Sequence, residues 1–137
     1  MSNRKYKRVL FIDEDKDVVN IYRSILERKK LSGQLIHMAN AEEGINYLRQ
    51  LRRKELPDYI LLDVSLQGMG GLDFLRHFEA LGKSGKAIEV FVCTSESSKD
   101  DRNKVMKFPF VSAFLEKPLP SDFLELLIQD GIRPVNG

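Results

Sequence analysis

Cysteine is almost missing. The 137 residues hold one, Cys93, inside the apolar run IEVFVC at 88–93. A lone cysteine excludes an intramolecular disulfide and a thiolate metal cluster. Its natural role is a small buried hydrophobe, and it fits a reducing compartment. Long apolar runs are missing as well. None approaches the ~20 residues that span a bilayer. The N-terminal MSNRKYKR leads into a short run without the apolar stretch of a secretory signal. A cytoplasmic protein with no membrane contact is expected. Excess charge of one sign is also lacking: the net charge is +2, which gives no general attraction to nucleic acid. Arg4, Lys5, Lys7 and Arg8 cluster before the first apolar run, and Arg49, Arg52, Arg53 and Lys54 end a helical pattern. Both clusters read as solvated charge. There is no internal repeat and no linker to a second domain, so residues 1–137 read as one domain, with a core over about 7–129.

What is present is alternation. Five short apolar runs occur: VLFI (9–12), LIHM (35–38), YILL (59–62), IEVFVC (88–93) and SAFL (112–115). Several are nearly continuous, the pattern of strands buried on both faces. Helical stripes lie between them: Val18, Ile21, Tyr22, Ile25 and Leu26; Ala41, Ile45, Leu48 and Leu51; Phe74, Leu75, Phe78 and Leu81; Phe123, Leu124, Leu127 and Ile128. The segment 97–108 is polar apart from Val105, Met106 and Phe108, and reads as a helix that moves or faces a partner. Turn chemistry marks Ser32-Gly33, Pro57-Asp58 and Gly82 to Gly85, and a last helix ending near Gly131 leaves the tail RPVNG. Strands alternating with helices predict an α/β fold with a parallel sheet.

Ligands of such sheets sit beyond the carboxyl ends of the strands. Asp13, Glu14 and Asp15 follow the first run, Asp63 the third, Thr94 and Ser95 the fourth, and Glu116, Lys117 and Pro118 the fifth. Asp15 reads as a helix cap, as does Asn40 within Ala39-Asn40-Ala41. Carboxylates gathered at one rim repel each other and need a cation. Hard oxygen donors suit Mg²⁺, which keeps several waters. With Lys117 adding a second positive charge and Thr94 a hydroxyl, the rim fits a dianionic phosphoryl group, and Asp63 is placed to be the nucleophile. His37 and His77 are isolated and read as ordinary core or surface residues. Gly82-Lys83-Ser84 resembles the end of a phosphate-binding loop, but His77 stands where that motif needs Gly.

The motifs VLFIDED, PDYILLDVSLQGMGGLDFL, VFVCTSES and FLEKPL, in this order and spacing, resemble the receiver domains of two-component response regulators, the chemotaxis type among them. The resemblance implies a flavodoxin-like (βα)5 fold, a doubly wound five-stranded parallel sheet of order 2-1-3-4-5. It implies a stand-alone phosphoacceptor switch rather than an enzyme, taking a phosphoryl group onto Asp63 from a histidine kinase or phosphotransfer protein. Mg²⁺ (or Mn²⁺) would be bound by Glu14, Asp63 and the backbone carbonyl of Ser65, with Asp13 acting directly or through water. Lys117 and Thr94 would contact the phosphoryl group, and Phe114 would be the aromatic switch. Ser65 and Glu96 occupy the positions that tune dephosphorylation. A face formed by helix 4, strand 5 and helix 5 would meet a downstream protein, as a monomer or weak dimer, without nucleic acid.

The sequence departs from the family pattern in four places. Glu14 stands where a second Asp is frequent, Gln67 where Pro is usual, Gly70-Gly71 where Asp-Gly is common, and Phe114 where Tyr is frequent. Rival readings are a relay intermediate, a phosphate-independent binding scaffold, and a haloacid dehalogenase-like phosphatase. The phosphatase would need an Asp at position 65, where this chain has Ser65. A flavodoxin-type electron carrier is disfavoured because Asp13, Glu14 and Asp15 would repel a flavin phosphate.

Overall fold

The computed structural model describes residues 7–63, 69–82, 88–94, 99–117 and 119–129. Arg4, Lys5, Ser65, Gln67, Glu96 and the tail RPVNG lie outside the described residues. Five strands, β1 (Lys7–Ile12), β2 (Gly33–Met38), β3 (Tyr59–Asp63), β4 (Glu89–Thr94) and β5 (Val111–Glu116), alternate with five helices. These are α1 (Lys16–Arg28), α2 (Ala41–Gln50), α3 (Gly71–Ala80), α4 (Lys99–Val105) and α5 (Ser121–Gln129). All four strand pairings are parallel, in the order β2-β1-β3-β4-β5. The parallel sheet is what the alternation predicts, and its flavodoxin-like order is what the resemblance implies.

The apolar runs are near-continuous because each central strand is covered on both sides. Leu10, Ile12, Ile60, Leu62, Val90 and Val92 pack against α2 and α3. Their neighbours Val9, Phe11, Tyr59, Leu61, Phe91 and Cys93 pack against α1 and α5. Helices α1 and α2 start where their caps put them. Asp15 caps α1 by accepting from the Asp17 amide at 3.0 Å, and Asn40 caps α2 by accepting from the Glu43 amide at 2.9 Å. The Glu43 carboxylate reaches back to the Ala39 amide at 3.2 Å, so donors on both sides of the cap are satisfied.

Four expectations need correction. Ile21, read as part of the buried stripe of α1, is 59% exposed, and Val19 is fully buried in its place. The stripe is centred on Val19, Tyr22 and Leu26, which leaves Ile21 beyond its edge. Gly33 is the first residue of β2 rather than a turn, and a Cβ there would come within 2.6 Å of Ile128 on α5. Arg8 is half-buried rather than solvated. Its guanidinium donates to the Glu55 carbonyl at 2.9 Å, and its amide donates to Asp58 at 2.8 Å, tying β1 to the entry of β3. The helix read over 97–108 is α4, which within the described residues runs Lys99–Val105 and ends three residues before 108.

Candidate functional site

Alternate residues of a strand share a face. Phe11, Leu61, Cys93 and Leu115 all belong to the layer under α1 and α5. Asp13, Asp63 and Lys117 continue that parity at the strand ends, so three charged side chains from β1, β3 and the end of β5 arrive on one side of the sheet. β4 lies between β3 and β5, and its residue in register with Asp63 is Cys93. A small side chain at that position leaves Lys117 room to cross β4 and reach the carboxylates.

Lys117 Nζ donates to Asp13 Oδ2 at 2.6 Å and to Asp63 Oδ2 at 3.0 Å. The carboxylate side chains are 7% and 10% exposed, and the lysine 19%. Burial pulls the Lys117 ammonium towards neutrality, but its hydrogen bonds to Asp13 and Asp63 outweigh that and hold its pKa above the ordinary lysine value. Two carboxylates sharing one ammonium formally leave one negative charge in a nearly dry site. That deficit, offered by hard oxygen donors, fits a divalent cation that keeps most of its waters. Among the described residues no three carboxylate, imidazole or thiol groups stand close enough together to hold an ion. Glu14, next in the chain after Asp13, is exposed.

The lysine is fixed from its backbone on both sides. Its own amide donates to the Thr94 carbonyl at 2.7 Å. Two residues on, the Leu119 amide donates to the Tyr22 hydroxyl at 3.2 Å. Burial raises the pKa of the Tyr22 phenol, which keeps it a neutral acceptor. A small cavity lined by Phe11, Tyr22, Leu61, Cys93 and Leu119 lies beneath the acids. In the sequence Tyr22 reads as core alone. No residue pattern marks a hydroxyl whose partner is a backbone amide.

Thr94 is buried and shares parity with Val90 and Val92, on the α2–α3 side. Phe114, in register with Val92, is half-buried against that same core. Thr94 and Phe114 are thus diagonal neighbours on adjacent strands, on the face opposite the acids. Asp13, Asp63 and Lys117 are brought together, while Thr94 and Phe114 lie on the other face of the sheet. Ser65 and Glu96 belong to the residues left undescribed.

A model of the response regulator receiver domain matches residues 9–129. The chain belongs to this receiver family. An uncharacterised 14.6 kDa protein in the sodA1 3' region of Leptolyngbya boryana is 28% identical over 120 residues, 87% of this receiver and 83% of that protein. The luminescence regulatory protein LuxO of Vibrio campbellii is 28% identical over 123 residues, 89% of this receiver but 25% of LuxO. The receiver therefore spans about a quarter of that regulator's length. Among solved structures, the Mn²⁺-bound form of response regulator Rcp1 superposes with a TM-score of 0.75 at 20% identity, covering 94% of this receiver and 99% of Rcp1. At that identity the likeness speaks for the fold.

Proposed function

We propose that this receiver is a phosphorylation-operated switch that accepts a phosphoryl group on Asp63 from a phosphohistidine of a histidine kinase or phosphotransfer protein. The observation that carries the reading is the Lys117 ammonium held within hydrogen-bond distance of both Asp13 and Asp63. An Asp63 carboxylate oxygen attacks phosphorus, the O–P bond forms as the P–N bond breaks, and the donor ring, protonated on its other nitrogen, takes the P–N electron pair and leaves as neutral imidazole. Lys117 is poised to swing from carboxylate to phosphoryl oxygen, matching the charge where it lands. Asp13, Glu14 and Asp63, with the Ser65 carbonyl, would hold Mg²⁺ or Mn²⁺. Bound there, a divalent ion would supply positive charge to the phosphoryl oxygens. Rcp1, with its Mn²⁺, supports this assignment by analogy.

Thr94 follows the phosphoryl group, and Phe114, its diagonal neighbour, takes up the space vacated. The α4–β5–α5 face then changes, and a downstream protein reads it. Such a switch works only if the phosphoryl contacts favour one of two states. The protein acts in the cytoplasm as a signalling switch rather than a turnover enzyme.

The test is incubation with acetyl phosphate, with and without Mg²⁺, followed by intact mass. Wild type is expected to gain one phosphoryl group with Mg²⁺ alone, and Asp63→Asn none. No gain in wild type, together with no binding of a beryllofluoride mimic, would replace the switch with a phosphate-independent scaffold.

A further inference from the structure

His37 reads in the sequence as an isolated histidine, yet it touches the backbone of the acid pair. β1 and β2 run in register with Phe11 opposite His37 and Ile12 opposite Met38. The His37 side chain therefore lies on the face that Phe11 and Asp13 share. Its Nε2 is 2.7 Å from the Asp13 carbonyl oxygen. A carbonyl only accepts, so Nε2 carries the proton and donates. The Asp13 amide donates to the Met38 carbonyl at 3.1 Å. Oδ1 of Asp13 accepts from the Asp15 amide at 2.9 Å, and Oδ2 from Lys117. Asp13 is thus held at four points, two of them supplied by β2.

The carbonyl of Asp13 and the amide of Glu14 belong to one planar peptide unit. A bond that fixes the carbonyl fixes the plane, and with it the direction in which the chain leaves towards Glu14. We propose that His37 is a positioning residue: its bond to the Asp13 carbonyl sets the peptide joining Asp13 to Glu14, and so governs how these two acids are offered to a divalent cation. The role matters more with Glu than with Asp at position 14. The longer side chain has more conformations to lose when it binds, and a backbone fixed beforehand spares the site a backbone loss on top of that one. The inference rests on the metal site proposed above.

Mn²⁺ is the probe, and its free concentration is read by electron paramagnetic resonance. His37→Leu removes the donor at similar bulk, whereas His37→Gln places an amide N–H at comparable reach. His37→Leu is expected to weaken Mn²⁺ binding about tenfold, with His37→Gln staying within about threefold of wild type. Circular dichroism melts of the metal-free proteins check that both are folded. If His37→Leu does not fold, His37→Asn, too short to reach the carbonyl, takes its place with the same expected loss. Wild-type affinity in a folded donor-less variant would overturn the role, as would a loss in His37→Gln equal to that in His37→Leu. Wild type that takes up no Mn²⁺ would overturn the metal site itself, and the positioning role with it.

Discussion

Lys117 is the counter-ion of two nearly buried carboxylates, and its removal has a predictable cost. Lys117→Met leaves Asp13 and Asp63 facing each other without the ammonium they share. Breaking such a buried pair from one side costs about 3 kcal/mol. Urea unfolding in EDTA should show that loss, and added Mg²⁺ should recover part of it by restoring positive charge. Cys93, beneath the lysine, gives a different signature. Burial raises its thiol from the ordinary 9.0 to about 12. Above pH 9.0 the unfolded chain sheds this proton while the folded chain keeps it. The unfolded state then binds fewer protons, so stability falls as pH rises, and it continues to fall until the folded thiol titrates. In Cys93→Ala the fall between pH 9.0 and about 12 should be shallower than in wild type, as read from urea midpoints across that range. At this scale the sequence identified Asp13, Asp63 and Lys117 because carboxylates and an amine at strand ends are visible as residue types. It missed His37 and Tyr22 because their partners are a backbone carbonyl and a backbone amide, which any residue supplies.

Element boundaries follow local chemistry. α1 closes on Lys30, whose φ of +55° is left-handed without being a glycine. Lys30→Gly should therefore raise stability by about 1 kcal/mol, seen as a higher melting temperature with the same fold. α2 lies against β1 through Gly44, where a Cβ would come within 2.6 Å of the Ile12 side chain. Ile12 is fully buried and has nowhere to retreat. Gly44→Val should cost about 2 kcal/mol through overpacking, measured as a lower urea midpoint at unchanged slope. The strands were legible because burial on both faces leaves a run of apolar residues with no competing pattern. The α1 stripe was less so: six apolar residues offer more than one face, and only packing against β1 and α5 chooses Val19 over Ile21. Gly33 reads as a turn by type, yet its smallness serves the close approach of Ile128.

The whole molecule places its chemistry through strand order. With β1 and β3 adjacent, and β4 between β3 and β5, Asp13 and Asp63 sit side by side, and Lys117 reaches them across Cys93. The topology was legible because the motif order in the sequence is that of a family whose sheet order follows from it. The partner that would read the proposed α4–β5–α5 face leaves no such mark, since recognition depends on a second surface. The central claim is that Asp63 carries the phosphoryl group, and the most direct measurement records the residue itself. After acetyl phosphate and Mg²⁺, borohydride reduces an aspartyl phosphate to homoserine, and peptide mapping locates it. The account predicts homoserine at position 63, absent when Mg²⁺ is chelated. Homoserine at position 13, or at any other carboxylate, would contradict it.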